Sequence, residues 1–189
     1  MPPRRPAAKM ADGDLAAGLV KSYAVNESMN QIVLEHLAPA AWRAKLTGQG
    51  RTIAAIFAHV HNVRRKWLRL SAGAGFKLPA QLHFARCSQE EARSALAESG
   101  ARCCEMLTAA LVESPPRITQ FLSDGWVRPW PAGASMAAYM IAHDAHHRGQ
   151  VCMLAHQLGY PLPVKCGAGI WKWETIWKDC SFASPGEPR

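Results

Sequence analysis

Residues 135–158 read SMAAYMIAHDAHHRGQVCMLAHQL, and the order of residue types along this stretch decides the fold. Apolar side chains recur at Met136, Met140, Val151, Leu154 and Leu158. The gap between Met140 and Val151 is filled, in steps of three and four, by His143 and His147. A helix turns once in about 3.6 residues, so all these positions fall on one face, and two imidazoles lie where the chain should look into a core. Four residues apart, they stack one turn above the other and can reach a common point. This is the spacing with which a helix presents two ligands to one metal ion. A lone histidine on an apolar face is commonly a hydrogen-bonded core residue. A pair is harder to satisfy in that way, because four ring nitrogens then need partners. His146 falls at the edge of the stripe and His156 on its far side, which assigns both to solvent or to a supporting position.

At 189 residues the chain is long enough for one domain with a sizeable core. Hydrophobic residues make up 49% of it, a globular balance. No apolar run approaches the roughly 18–20 residues that a membrane-spanning helix needs. The opening MPPRRPAAKM is basic and proline-rich with no apolar segment behind it, so it does not read as a secretory signal. Residues 1–11 are expected to form a flexible basic tail, 12–180 the domain and 181–189 a second flexible tail. The six cysteines, Cys87, Cys103, Cys104, Cys152, Cys166 and Cys180, include no C-x-x-C pair, which argues against a structural zinc knuckle. Their irregular placement fits reduced thiols and a cytoplasmic protein. A net charge of +8 raises the question of nucleic acid. The basic residues are scattered, however, apart from the tail and the group Arg64, Arg65, Lys66 and Arg69, which reads as a solvated helix face. Neither nucleic acid nor membrane is an expected partner.

The remaining helices follow from the same periodicity. Asp12 or Asp14 can cap a first helix whose stripe runs Leu15, Leu19, Tyr23, Asn26, Asn30, Val33, Leu37 and ends near Pro39. The two asparagines are either satisfied core amides, on a stripe rotated slightly from this choice, or face something polar. The AAWRAKL run after Pro39 can continue as a short helical turn. Gly48 and Gly50 break the chain, Thr52 can cap, and a second helix extends to about Leu70 with the stripe Ile53, Ile56, Phe57, Val60, Val63, Trp67, Leu70. His59 and His61 flank that stripe on opposite sides, each about a quarter-turn off centre, so helical angle does not choose between them as a third ligand. Residues 71–87 form a long connection. Ser88 and Glu91 have the spacing of a capping box and open a third helix to about Glu113, with Ala92, Leu96, Cys103, Met106, Leu107 and Ala110 inward. Pro115 and Pro116 stop it. Residues 117–134 form an irregular link in which ITQFL can be strand or turn. Ser135 is the expected cap of the fourth helix, which Gly159 and Pro161 end. Ile170 to Lys178 is amphipathic, and Trp171, Trp173 and Trp177 suggest a lid packed on the bundle. Four helices with long second and third connections predict an all-α four-helix bundle with helices two and three parallel.

The run His143-Asp-Ala-His146-His147-Arg148-Gly149-Gln150 resembles the H-x-x-x-H-R-G-Q signature of the DinB/YfiT-like family. Helix two resembles the family's second helix, in which one histidine precedes an aromatic-Leu pair by about two turns; Trp67-Leu68 suits His59 as that histidine. Gly169-Ile170-Trp171-Lys172-Trp173-Glu174 resembles the family's C-terminal segment. The resemblance spans roughly residues 14–178. It implies an up-down-down-up four-helix bundle, a homodimer, and a divalent metal held by His59, His143 and His147. It also implies a metal-dependent transferase of low-molecular-weight thiols or a mycothiol-dependent isomerase, though many relatives have no known activity. The sequence departs from the pattern in placing His61 two residues from His59 and His146 beside His147.

Three neutral imidazoles would leave a metal with an open position, as catalytic ions have. Imidazole suits zinc, nickel, iron or copper; zinc or nickel is expected first and iron next. An open ion can acidify water or hold a thiol as thiolate. No glutamate stands beside the motif as in H-E-x-x-H, which weakens a hydrolase. Asp144 and Gln150 are near in sequence but lie off the centre of the stripe. The expected partner is a small molecule, foremost a low-molecular-weight thiol. A metal-dependent hydrolase, a non-catalytic metal- or ligand-binding stress protein, and a dimeric scaffold with histidines merely in its core are the alternatives.

Overall fold

A computed structural model of the protein describes residues 12–46, 50–72, 75–122, 130–131 and 133–182. The expected tail at 1–11, most of that at 181–189, the break at Gly48 and residues 123–129 of the link lie outside the described residues. The chain is all-α in character. Its helices are α1 (Asp12–His36), α2 (Ile53–Ser71), α3 (Gln89–Leu111), α4 (Ala134–Gln157), α5 (Val164–Trp171) and α6 (Trp173–Asp179). A single 3-10 turn at Pro39–Ala41 follows α1, where helical continuation was open. Two-residue strands β1 (Gln120–Phe121) and β2 (Trp130–Pro131) pair antiparallel within the link before α4.

The ends of the helices follow local chemistry. The Thr52 hydroxyl accepts from the Ala55 N–H at 3.1 Å. Ser88 accepts from the Glu91 N–H at 3.0 Å while Glu91 accepts from the Ser88 N–H at 2.6 Å, so the capping box is complete. The expected cap at Ser135 is corrected. Helix α4 begins at Ala134 with Gly133 as its N-cap, and the Met136 N–H reaches the Gly133 carbonyl at 3.1 Å, which draws Ser135 into the first turn. At the other end Gly159 takes φ +81°, a left-handed conformation that glycine adopts without strain.

Helix α1 packs on α3 and α4, and α2 packs on the same two helices. One apolar cluster joins Val33 and Leu34 of α1, and Leu37 just beyond its end, to Ile53, Phe57 and Val60 of α2, Ala92 and Leu96 of α3, and Val151 and Ala155 of α4. A second joins Tyr23 of α1 to Trp67 and Leu68 of α2, Cys103, Met106 and Leu107 of α3, and Met136 and Met140 of α4. The buried polar residues lie between these clusters in sequence on all four of α1 to α4. No helix among the described residues is long and apolar enough to cross a membrane.

Three expectations are corrected by packing. The α1 stripe begins at Leu19, which packs partly buried on the second cluster, because Leu15 is half exposed. The basic group on α2 is not uniformly solvated: Arg64 is fully buried, drawn in by two carboxylates from other helices. Of the three tryptophans only Trp177 packs on the bundle, half-buried against the cluster of Val25, Met29 and Ile176. Trp171 and Trp173 are 73% and 40% exposed, because the segment is two short helices broken at Lys172 and does not keep one face. Cys166 and Ile176 are buried instead, the latter against Val25 and Met29 of α1.

Candidate metal centre

Between the two apolar clusters α2 faces α4, and three imidazoles meet there. His59 comes from α2, and His143 and His147 from consecutive turns of α4. One potential ligand atom from each lies within 4.8 Å of the other two. Ring centroids are 4.6 Å apart for His143 and His147, 4.7 Å for His59 and His147, and 5.6 Å for His59 and His143. Nitrogens bound to one tetrahedral zinc at about 2.1 Å stand about 3.4 Å from one another, so small side-chain rotations would bring this set onto one ion.

The alternative on α2 is engaged elsewhere. His61 is fully buried, with Nδ1 3.1 Å from the Ser99 hydroxyl of α3 and Nε2 2.7 Å from the Ala80 carbonyl. Both ring nitrogens are used in tying α2 to α3 and to the 75–87 connection. His146 is exposed and lies beside Gln150, and His156 is exposed.

Groups around the cluster orient it. Gln150 Oε1 lies 2.8 Å from His147 Nδ1, and Asp144 Oδ1 lies 3.4 Å from His143 Nδ1. The edge of Trp67 packs on His143 at 5.2 Å between ring centroids. Behind Asp144 runs a buried ionic network. Its Oδ2 accepts from Arg64 Nη2 at 2.5 Å and from Asn26 Nδ2 at 3.0 Å. Arg64 Nη1 also reaches Glu27 Oε2 at 2.6 Å and the Leu96 carbonyl at 3.1 Å. Arg148 donates to Asn26 Oδ1 at 2.9 Å and Asn30 Oδ1 at 2.8 Å. The asparagines in the α1 stripe thus face something polar. They were the one sign in the sequence of this network; nothing in a single chain pairs Arg64 with Glu27 and Asp144.

The electrostatics favour neutral imidazoles at His59 and His147. Burial, followed by His147 and Arg51, lowers the His59 pKa to about 4. Burial likewise lowers that of His147 against the raising effect of Gln150. Ligation needs the unprotonated ring, so the donor set fits a divalent ion. Burial would raise the Asp144 carboxyl, but Arg64, together with the bonds to His143 and Arg64, outweighs it and holds the group below its ordinary range. For Glu27 burial prevails over Arg64 and the pKa is raised. Cys103 and Cys104 are pushed by burial to about 12, which makes them inert packing residues.

These features define a helical protein with a buried-edge cluster of three histidines that could bind a divalent metal ion. The chain matches the DinB family over residues 10–177 and belongs to that family. No curated protein matches it.

Proposed function

We propose that His59, His143 and His147 hold a divalent transition ion, zinc or nickel foremost and iron next, in an enzyme that transfers a low-molecular-weight thiol to an electrophile. The carrying observation is the convergence of three imidazoles with no fourth ligating side chain in the cluster among the described residues. A divalent ion bound there would supply a Lewis acid that lowers the pKa of a thiol or water at its free position. The chain's own residues would supply the rest. Gln150 orients His147, Asp144 faces His143, and Trp67 covers one side of the cluster. In the transfer the thiol loses its proton to solvent, its sulfur forms a bond to the electrophilic carbon, and the leaving group departs with the electron pair of the broken bond. Asp144 is a poor base for hydrolysis, since Arg64 and Asn26 occupy it and hold it ionised.

The same reading treats residues 12–180 as one up-down-down-up four-helix bundle. Its support is the sharing of core clusters: the second halves of α1 and α4 meet the first halves of α2 and α3, and the reverse holds at the other end.

The test supplies metal-loaded protein with a panel of small thiols and a chromogenic electrophile. Thiol-dependent turnover above background that disappears in His147→Ala is expected. Esterase or amidase turnover without thiol dependence would point to a hydrolase, and no turnover to a metal-binding protein.

A further inference from the structure

Two open surface pockets share Gly50 and Arg51, and one of them reaches Gln150, the partner of His147. The nearer, about 340 Å³, is lined by Gly50, Arg51, Ile56, Gln150 and Leu154. Its residues follow directly from the cluster on both helices: Ile56 is one turn before His59 on α2, and Gln150 and Leu154 are one and two turns after His147 on α4. Gln150 is itself bonded to His147. The farther cavity, about 420 Å³, also has Gly50 and Arg51 in its wall and adds Arg43, Lys45, Thr52 and Phe84.

The charge of this space is one-sided. Three cations line the two cavities and no carboxylate does. Arg43 is engaged with the carbonyls of Ala85, Arg86 and Cys87. Arg51 and Lys45 are exposed and make no ion pair among the described residues. Arg51 shares the wall of the nearer cavity with Gln150, the hydrogen-bond partner of His147. Three amides at the start of α2 are already used, Ala54 donating to the Trp42 carbonyl, Ala55 to the Thr52 hydroxyl and Ile56 to the Thr52 carbonyl, and recognition is assigned to the side chains. Ile56 and Leu154 offer apolar contact between the guanidinium and the histidines.

We propose that this space binds the carboxylate of a small, partly apolar substrate, with Arg51 as the anion-binding residue and the reactive end of the molecule at the histidine cluster. The proposal rests on the metal-centre reading and narrows its substrate to anionic thiols. A guanidinium can pair with a carboxylate through two parallel hydrogen bonds, a geometry that an amide of the same shape cannot match in charge.

The experiment measures binding to zinc-loaded protein by calorimetry with 3-mercaptopropionate, its amide 3-mercaptopropionamide, and propionate. In the wild type 3-mercaptopropionate should bind about tenfold more tightly than the amide, the ratio expected for one charge-assisted bond. Arg51→Gln should bring the ratio close to one, and Arg51→Lys should retain part of it. Equal affinity for the carboxylate and the amide, an unchanged ratio in Arg51→Gln, or no binding of any probe would overturn the anion site. If propionate binds as tightly as 3-mercaptopropionate, with the same dependence on Arg51, the anion site stands and the thiol reading fails.

Discussion

Gln150 Oε1 stands 2.8 Å from Nδ1 of His147. A carboxamide oxygen can only accept, so this contact places the ring proton on Nδ1 and leaves the Nε2 lone pair available for a metal. Partners of this kind typically contribute 10–100-fold to metal affinity. Gln150→Leu should therefore weaken zinc binding by roughly tenfold or more, while Gln150→Glu, which still accepts, should retain most of it. Competition against a chelator of known affinity checks this. Equal affinity in Leu and Glu variants would show that the contact does not orient the ligand.

His143→Ala and His147→Ala should each lower the metal content per chain of protein purified without a histidine tag. Both rings lie in the cluster of three, and removing either leaves two donors. Equal stoichiometry in wild type and both variants would remove the metal from the argument.

The two histidines of α2 should separate cleanly. His59→Ala should lose metal with little loss of stability, since His59 is only partly buried. His61→Ala should keep metal and lose about 2–3 kcal/mol, because it leaves a cavity in the core and removes the ties of α2 to Ser99 and to the Ala80 carbonyl. Elemental analysis with denaturant melts on both variants decides it, and metal loss in His61→Ala alone would reverse the assignment.

In metal-free protein His59 is a base whose pKa falls on folding, from 6.5 to about 4. As pH drops below 6.5 the unfolded chain takes up this proton and the folded chain does not. Its contribution to stability is therefore complete above pH 6.5, declines as pH falls through that window, and levels off below about 4. Thermal melts of the apo protein should show a shallower decline over this range in His59→Gln than in wild type.

Gly100 should not tolerate a methyl group. A Cβ there would come within 2.7 Å of Glu27 Cγ, and Glu27 is held by Arg64 at 2.6 Å. Gly100→Ala should cost roughly 1–3 kcal/mol through overpacking. Gly18→Ala on α1, where the same atom meets nothing within 4 Å, should be neutral or stabilising by up to about 1 kcal/mol. Chemical denaturation of both variants tests the contrast.

Chelation should leave the protein helical by far-UV circular dichroism. The helices share apolar clusters that do not include the histidines, unlike small zinc domains whose folding depends on the ion. Collapse of the helical signal would make the site structural.

The sequence by itself determined what depends on near neighbours. Helix starts at Thr52 and Ser88 are set by side chains three residues from the amides they cap, and the stacking of His143 over His147 is set by helical pitch. Tertiary structure alone decided what depends on groups distant in the chain. Helical angle left His59 and His61 equal, with only the resemblance at Trp67-Leu68 favouring His59; His59 meets the α4 pair because α2 turns one flank toward α4 and the other toward Ser99 and Ala80. Arg64 is buried because Glu27 and Asp144 arrive from α1 and α4 to offset its desolvation. Trp171 and Trp173 stay exposed because a break at Lys172 divides their segment between two helices. Hydrophobic periodicity says which face of a helix is inward, but the identity of the group across the core, which decides whether a charge or an imidazole is satisfied there, is set only when the helices pack.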